Sequence, residues 1–272
     1  MKLDYDRAWR EATGLMRDNR ALLTAMAGIF FFLPYAVLLV TLPRIATLPT
    51  PSPDADFSAM MAAMTEFYGQ VWWAILLIGL VVTAGTLSML ALLKLRAKPT
   101  VGQAIGGGLT ATLPYLVAIV LQSLATGIAT GLISLITAAT GVPLIALAGL
   151  ILALAVQFYI LVKFSLTAPV MAIGGVHNPL NAMKASWQMT KGNSRRLLGF
   201  YALLFLAFTV TALVVSMLTG VLLALGSESI QSLGSAIVSA GLISAALVLF
   251  VCVLAAIYTQ LGRAAAATPA RD

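Results

Sequence analysis

The residues able to do chemistry are few, and they are not gathered. Nucleophilic hydrolysis needs a nucleophile, a general base and usually an acid to orient that base. The one histidine, His177, stands in the loop 174–179 with no Asp or Glu beside it, and no Gly-x-Ser-x-Gly elbow occurs. It is expected to be a solvated loop residue. The nine Asp and Glu are scattered, so they offer no cluster to hold a metal for phosphodiester cleavage. Phe57, Met60, Met61, Met64 and Phe67 recur at one helical face. Thioethers bind Cu(I), but without Cys or His nearby this stripe reads as lipid contact or a lid over an outer mouth. The single Cys252 lies in an apolar stretch and excludes an internal disulfide. No enzyme, cofactor or metal is therefore expected.

Transport chemistry leaves an equally thin trace. Ion-coupled carriers place an ionisable residue mid-membrane, where its energetic cost demands a purpose. Lys163 is the one charged residue in the apolar run 109–169, about one turn from the cytoplasmic end of the fourth span, and is expected to snorkel to the interface. Gln122, Gln157 and Gln260 are polar enough to line a pathway, although interhelical hydrogen bonds are their commoner use. Gly127-x-x-x-Gly131, Ser216-x-x-x-Gly220 and Ser235-x-x-x-Ser239 are small-residue spacings that let helices approach, and packing within the chain is expected of them.

The elements that position these residues follow from composition. The chain is 61% hydrophobic and 9% charged over 272 residues, with a mean hydropathy of +1.01. No soluble fold of that size hides so much apolar surface, so lipid must be the solvent for much of it. Six spans are expected, at about 21–42, 71–93, 113–137, 144–166, 197–225 and 233–260. The run 109–169 is about three times too long for one helix across a ~30 Å core. Thr140-Gly141-Val142-Pro143 is the breaker that folds it back. Of sixteen Lys and Arg, only Arg44 falls in an odd-numbered loop. Basic loops stay cytoplasmic, which predicts both termini inside. The first span is read as a retained helix rather than a signal peptide, since its apolar region is long and its leading segment mixes acids with bases.

An amphipathic segment is expected ahead of each outward span. Ahead of the first lies 5–19, with Trp9, Ala12, Leu15 and Met16 on one face. Ahead of the fifth lies 179–191, with Asn178 as N-cap, Pro179 at the first helical position and Gly192 as the stop. Its apolar face is Leu180, Met183 and Trp187. A weaker copy, 99–108, precedes the third. The plan is thus an all-α polytopic protein of one domain over 1–272, built as three hairpins with cytoplasmic interfacial helices. The outer loop 43–70 is stiffened by Pro43, Pro49, Pro51 and Pro53, with Asp54 or Asp56 placed to cap a short helix.

The stretch 164–198 carries Ala168-Pro169, Gly174-Gly175, Ala185-Ser186-Trp187 and Thr190-Lys191-Gly192. It resembles the YciC-like group of bacterial inner-membrane proteins, which overlaps the glycerophosphoryl diester phosphodiesterase membrane-domain family. The resemblance implies an inner-membrane protein linked to envelope or lipid homeostasis, with these motif residues structural. It implies no phosphodiesterase activity, because no soluble catalytic domain accompanies them. With net charge +7 spread over juxtamembrane segments, membrane lipids are the expected partner, anionic phospholipid especially, and nucleic acid is not. The candidate interface residues are Trp9, Lys184, Trp187, Lys191, Arg195 and Arg196. The leading expectation is a non-enzymatic protein that handles or senses phospholipid, or supports an envelope lipid-transport assembly. A small-molecule transporter or channel is the alternative, and a membrane enzyme comes third.

Overall fold

The computed structural model describes residues 2–41, 57–94 and 100–266. Among them every regular element is a helix. In order these are α1 (Tyr5–Asp18), α2 (Arg20–Ala27), a π-helical turn (Gly28–Phe32), α3 (Leu33–Thr41), α4 (Phe57–Leu92) and α5 (Val101–Ala138). There follow α6 (Pro143–Phe164), α7 (Thr167–Ala172), α8 (Pro179–Thr190), α9 (Ser194–Leu223) and α10 (Glu228–Ala266). Six stretches are long and apolar enough to cross a membrane: Arg20–Thr41, Ser58–Leu92, Val101–Ala138, Pro143–Ala172, Ser194–Leu223 and Glu228–Arg263. That agrees with the six spans read from hydropathy.

Two expected short helices do not exist as separate elements. Thr100 and Gln103 form a capping box, Thr100 N donating to Gln103 Oε1 at 3.0 Å and Gln103 N to Thr100 Oγ1 at 3.3 Å. From that cap α5 runs unbroken through Gly106, Gly107 and Gly108, so the surface segment expected at 99–108 is the first part of a long helix. Of the three glycines Gly108 serves packing: a Cβ there would run into the backbone of Ser88 on α4. The Met and Phe stripe is likewise the opening of the continuous helix α4. The proline-rich part of the outer loop, with Asp54 and Asp56, lies outside the described residues, as do Arg44, Arg96, Lys98 and Arg271.

The described chain divides into two compact units. One comprises Met1–Asn19, Leu87–Leu206 and Leu249–Asp272. At its heart is the α10 stretch from Val251 to Ile257, where every residue is buried. A helix apolar all round is stable only when surrounded, and this segment meets that condition. Cys252 is sealed inside it. In the same unit α5 packs along α6, joined by a turn in which Gly141 takes φ +66° and Pro143 opens α6. Gly149 makes room there for Thr137. The other unit comprises Arg20–Thr86 and Ala207–Val248. In it Phe30 and Phe31, in the π-helical turn, stand against Gly85 of α4.

Candidate functional site

The elbow from α6 to α9 is where the chain's polar detail collects. Helix α6 ends at Phe164, leaving its last carbonyls without intrahelical donors. Helix α8 supplies donors to one of them, the carbonyl of Lys163. Asn178 caps α8 by accepting from Asn181 N at 3.1 Å, and Pro179 fills its first position. Ala182, Ser186 and Thr190, spaced by four, form its buried face. Ser186 Oγ donates to the Lys163 carbonyl at 2.8 Å, and Thr190 Oγ1 lies 3.4 Å from the same oxygen. The Ser-Trp-x-x-Thr spacing is therefore a clamp on the end of α6. Gly175 (φ +72°) ends the α7 segment and Gly192 (φ +81°) ends α8, both in the left-handed region that favours glycine. Gly174 is small for another reason, since a Cβ there would sit 2.8 Å from the Tyr258 hydroxyl.

The expected apolar face of α8 points the other way. Leu180 and Trp187 are exposed and Met183 is half-buried. Trp187 packs edge-on to Tyr159 with centroids 5.9 Å apart, and tilted against Phe164 at 5.5 Å. Lys163 Nζ sits 5.0 Å from the Trp187 centroid and 5.5 Å from that of Tyr159. The residue is 3% exposed, so Lys163 does not snorkel outward as expected. Two aromatic rings cover its stem and hold its charge by cation–π attraction. Among the described residues its ammonium has no hydrogen bond and no carboxylate. The sequence explains the missing carboxylate: no Asp or Glu occurs between Glu66 and Glu228. That acid-free interval is the signal that would have drawn attention to Lys163. A shallow, mainly apolar groove runs beside it, lined by Phe164, Leu180, Met183, Lys184, Trp187 and Gln188.

The other candidates are distributed differently. Lys184, Lys191 and Arg195 are exposed around the elbow. Arg196 also fastens the N-terminal segment, its Nη1 donating to the Leu3 carbonyl at 2.9 Å. Leu3 N donates to Asn193 Oδ1 at 2.8 Å, and Tyr5 Oη donates to the Arg196 carbonyl at 2.7 Å. Trp9 is on α1, 44% exposed, while Ala8 and Ala12 form the buried face of that helix. Gln260, a candidate for a polar pathway, is buried beside this strap, with Nε2 3.5 Å from the Asp4 carbonyl and Oε1 unpartnered. Among the described residues the packing expected at the small-residue spacings is not made at Gly127, Gly131 or Gly220, where an added Cβ meets nothing within 4 Å, and Ser216 is exposed. Gly108 and Gly149 make the close contacts instead, because a glycine matters only where a neighbouring helix crosses it. His177 is exposed, and the described residues contain no group of three His, Cys, Asp or Glu able to hold a metal.

No curated protein and no solved structure matches this chain. A family model does, and it takes in the last turn of α5, the whole elbow and most of α10. The resemblance read from 164–198 thus extends on both sides of that stretch. Over residues 136–262, a little under half of its length, the chain matches the family described as the membrane domain of glycerophosphoryl diester phosphodiesterase.

Proposed function

We propose that this protein is a non-enzymatic component of the bacterial inner membrane that handles or senses phospholipid, or supports an assembly moving lipid through the envelope. In this reading the six spans form three hairpins with both termini in the cytoplasm, and the elbow lies at the inner headgroup layer. One observation carries it. Helix α8 is fixed to the protein by its small and hydroxyl face, leaving Leu180 and Trp187 outward amid Lys184, Lys191, Arg195 and Arg196 in an acid-free stretch. Outward apolar side chains with flanking cations are what an anionic interface attracts. The non-enzymatic part rests on His177, exposed in a loop with no acidic neighbour in sequence.

The test replaces Lys184, Lys191, Arg195 and Arg196 together by Gln. Each contributes on the order of 1 kcal/mol near an anionic leaflet. Bound phosphatidylglycerol or cardiolipin, measured by native mass spectrometry, is expected to fall several-fold or more. Orientation is checked first with cysteines at Asn181 and Ser227, because the same charges hold the elbow inside. Unchanged lipid retention in a correctly oriented variant would reduce these residues to topology signals.

A further inference from the structure

We propose that Lys163 anchors a discrete site for the phosphate of one anionic phospholipid, beside the Trp187 ring. The inference rests on the lipid-handling reading and gives it one central residue, next to a groove that shares the Trp187 side chain with it.

The first argument is an unmet need. An ammonium carries three N–H donors. The Tyr159 and Trp187 rings stabilise its charge, but a ring face does not replace an oxygen acceptor. The Lys163 side chain is nine-tenths and more buried, yet its nitrogen is not among the buried atoms without a partner, so the ammonium still opens to the surface. Among the described residues no oxygen accepts from it, so an acceptor has to come from outside the chain.

The second argument is sign. With no carboxylate from 67 to 227, the elbow has no acid of its own to answer Lys163. Lys191 lies within electrostatic range and adds a second positive charge, while Lys184 stands on the rim of the adjoining groove. A group that meets this arrangement is an anion with several oxygens, such as a phosphate diester.

The third argument is shape, and it selects a lipid over free phosphate. The groove is walled by Phe164, Leu180, Met183 and Trp187, with Lys184 and Gln188 as its polar residues. The covering rings remain accessible from outside, Tyr159 at 47% and Trp187 at 38% exposure. An anionic head beside apolar walls is the form of an amphiphile. Free phosphate would gain nothing from those walls.

The experiment uses the full-length protein in neutral detergent, titrated with phosphatidylglycerol and followed by native mass spectrometry and thermal unfolding. The wild type is expected to retain one phosphatidylglycerol well above the background of loosely bound lipid. Lys163→Met should remove that lipid from the count and weaken binding at least tenfold. Lys163→Arg, which keeps charge and donors, should hold it. Without lipid, Lys163→Met should unfold at the same temperature as the wild type or higher, since it removes a buried charge lacking an acceptor. A Met variant that unfolds early, or that is stabilised by phosphatidylglycerol as much as the wild type, makes Lys163 a packing pin and overturns the proposal. Equal stabilisation of the wild type by inorganic phosphate overturns the choice of a lipid. If the four-Gln variant loses lipid and Lys163→Met does not, this inference fails alone. If neither loses it, the broader reading fails too.

Discussion

Helices α1 and α8 are built to one recipe, and the difference between them lies in charge. Each has an Asx N-cap, Asp4 for α1 and Asn178 for α8. Each buries a stripe of small residues, Ala8 and Ala12 in one and Ala182, Ser186 and Thr190 in the other. Each leaves a tryptophan exposed. On α1, however, the bases have acids to meet: Arg7 pairs with Glu11 at 3.0 Å, and Arg263 reaches the same carboxylate at 3.4 Å. Trp9 makes no cation–π or ring contact among the described residues. On α8 no acid is present, and Trp187 is locked over a buried lysine. A shared amphipathic pattern therefore serves two ends: α1 is neutralised from within, whereas α8 keeps its positive field for something outside the chain.

The buried faces give the largest effect. Ser186→Val removes the donor to the Lys163 carbonyl and crowds a site with no spare room. A loss of about 2 kcal/mol is expected from the carbonyl left with only the longer Thr190 contact and from the added methyl together. Thermal unfolding in detergent reads it, and a change near zero would mean that α8 is not clamped through its hydroxyls. The exposed tryptophans come next. Trp187→Leu gives up two ring contacts and the cation–π contact, about 1–2 kcal/mol, whereas Trp9→Leu should leave detergent stability within about 0.5 kcal/mol of the wild type. Equal losses would erase the distinction between the helices. The smallest effect probes the charge pairs. Part-exposed ion pairs contribute roughly 0.2–1 kcal/mol, so Glu11→Gln should barely alter stability. It frees Arg7 and Arg263, and binding to phosphatidylglycerol vesicles should rise by up to a few-fold. Unaltered binding would show that internal pairing is not what distinguishes α1.

What was legible in the sequence was what local signals encode. Asn178, Pro179 and Gly192 bracket α8 because caps, proline and positive-φ glycine act within a few residues of themselves. Thr140-Gly141-Val142-Pro143 marks the α5–α6 turn for the same reason. Tertiary choices were not legible. The segment 99–108 reads as a separate amphipathic segment, yet in α5 its Gly108 permits a neighbour's approach, and Thr100 with Gln103 secures the helix start. Gly127-x-x-x-Gly131 has the spacing of a packing face, but among the described residues nothing lies within 4 Å of a Cβ added at either glycine. Lys163 sat near enough to a span's end to reach water, and the rings that enclose it come partly from a segment 24 residues further on.

The strap at residues 3–5 also sets an order of assembly. Its partners are Asn193, Arg196 and, more loosely, Gln260, separated from it by 190 residues or more. At a synthesis rate of about 5–20 residues per second, the first of these leaves the ribosome roughly 10–40 s after Leu3 does. Until then α1 has none of these anchors, and the early chain waits with its opening segment undocked. The strap is thus one of the last latches to close during biogenesis, and when it closes it joins the first-made residues to the root of the fifth span.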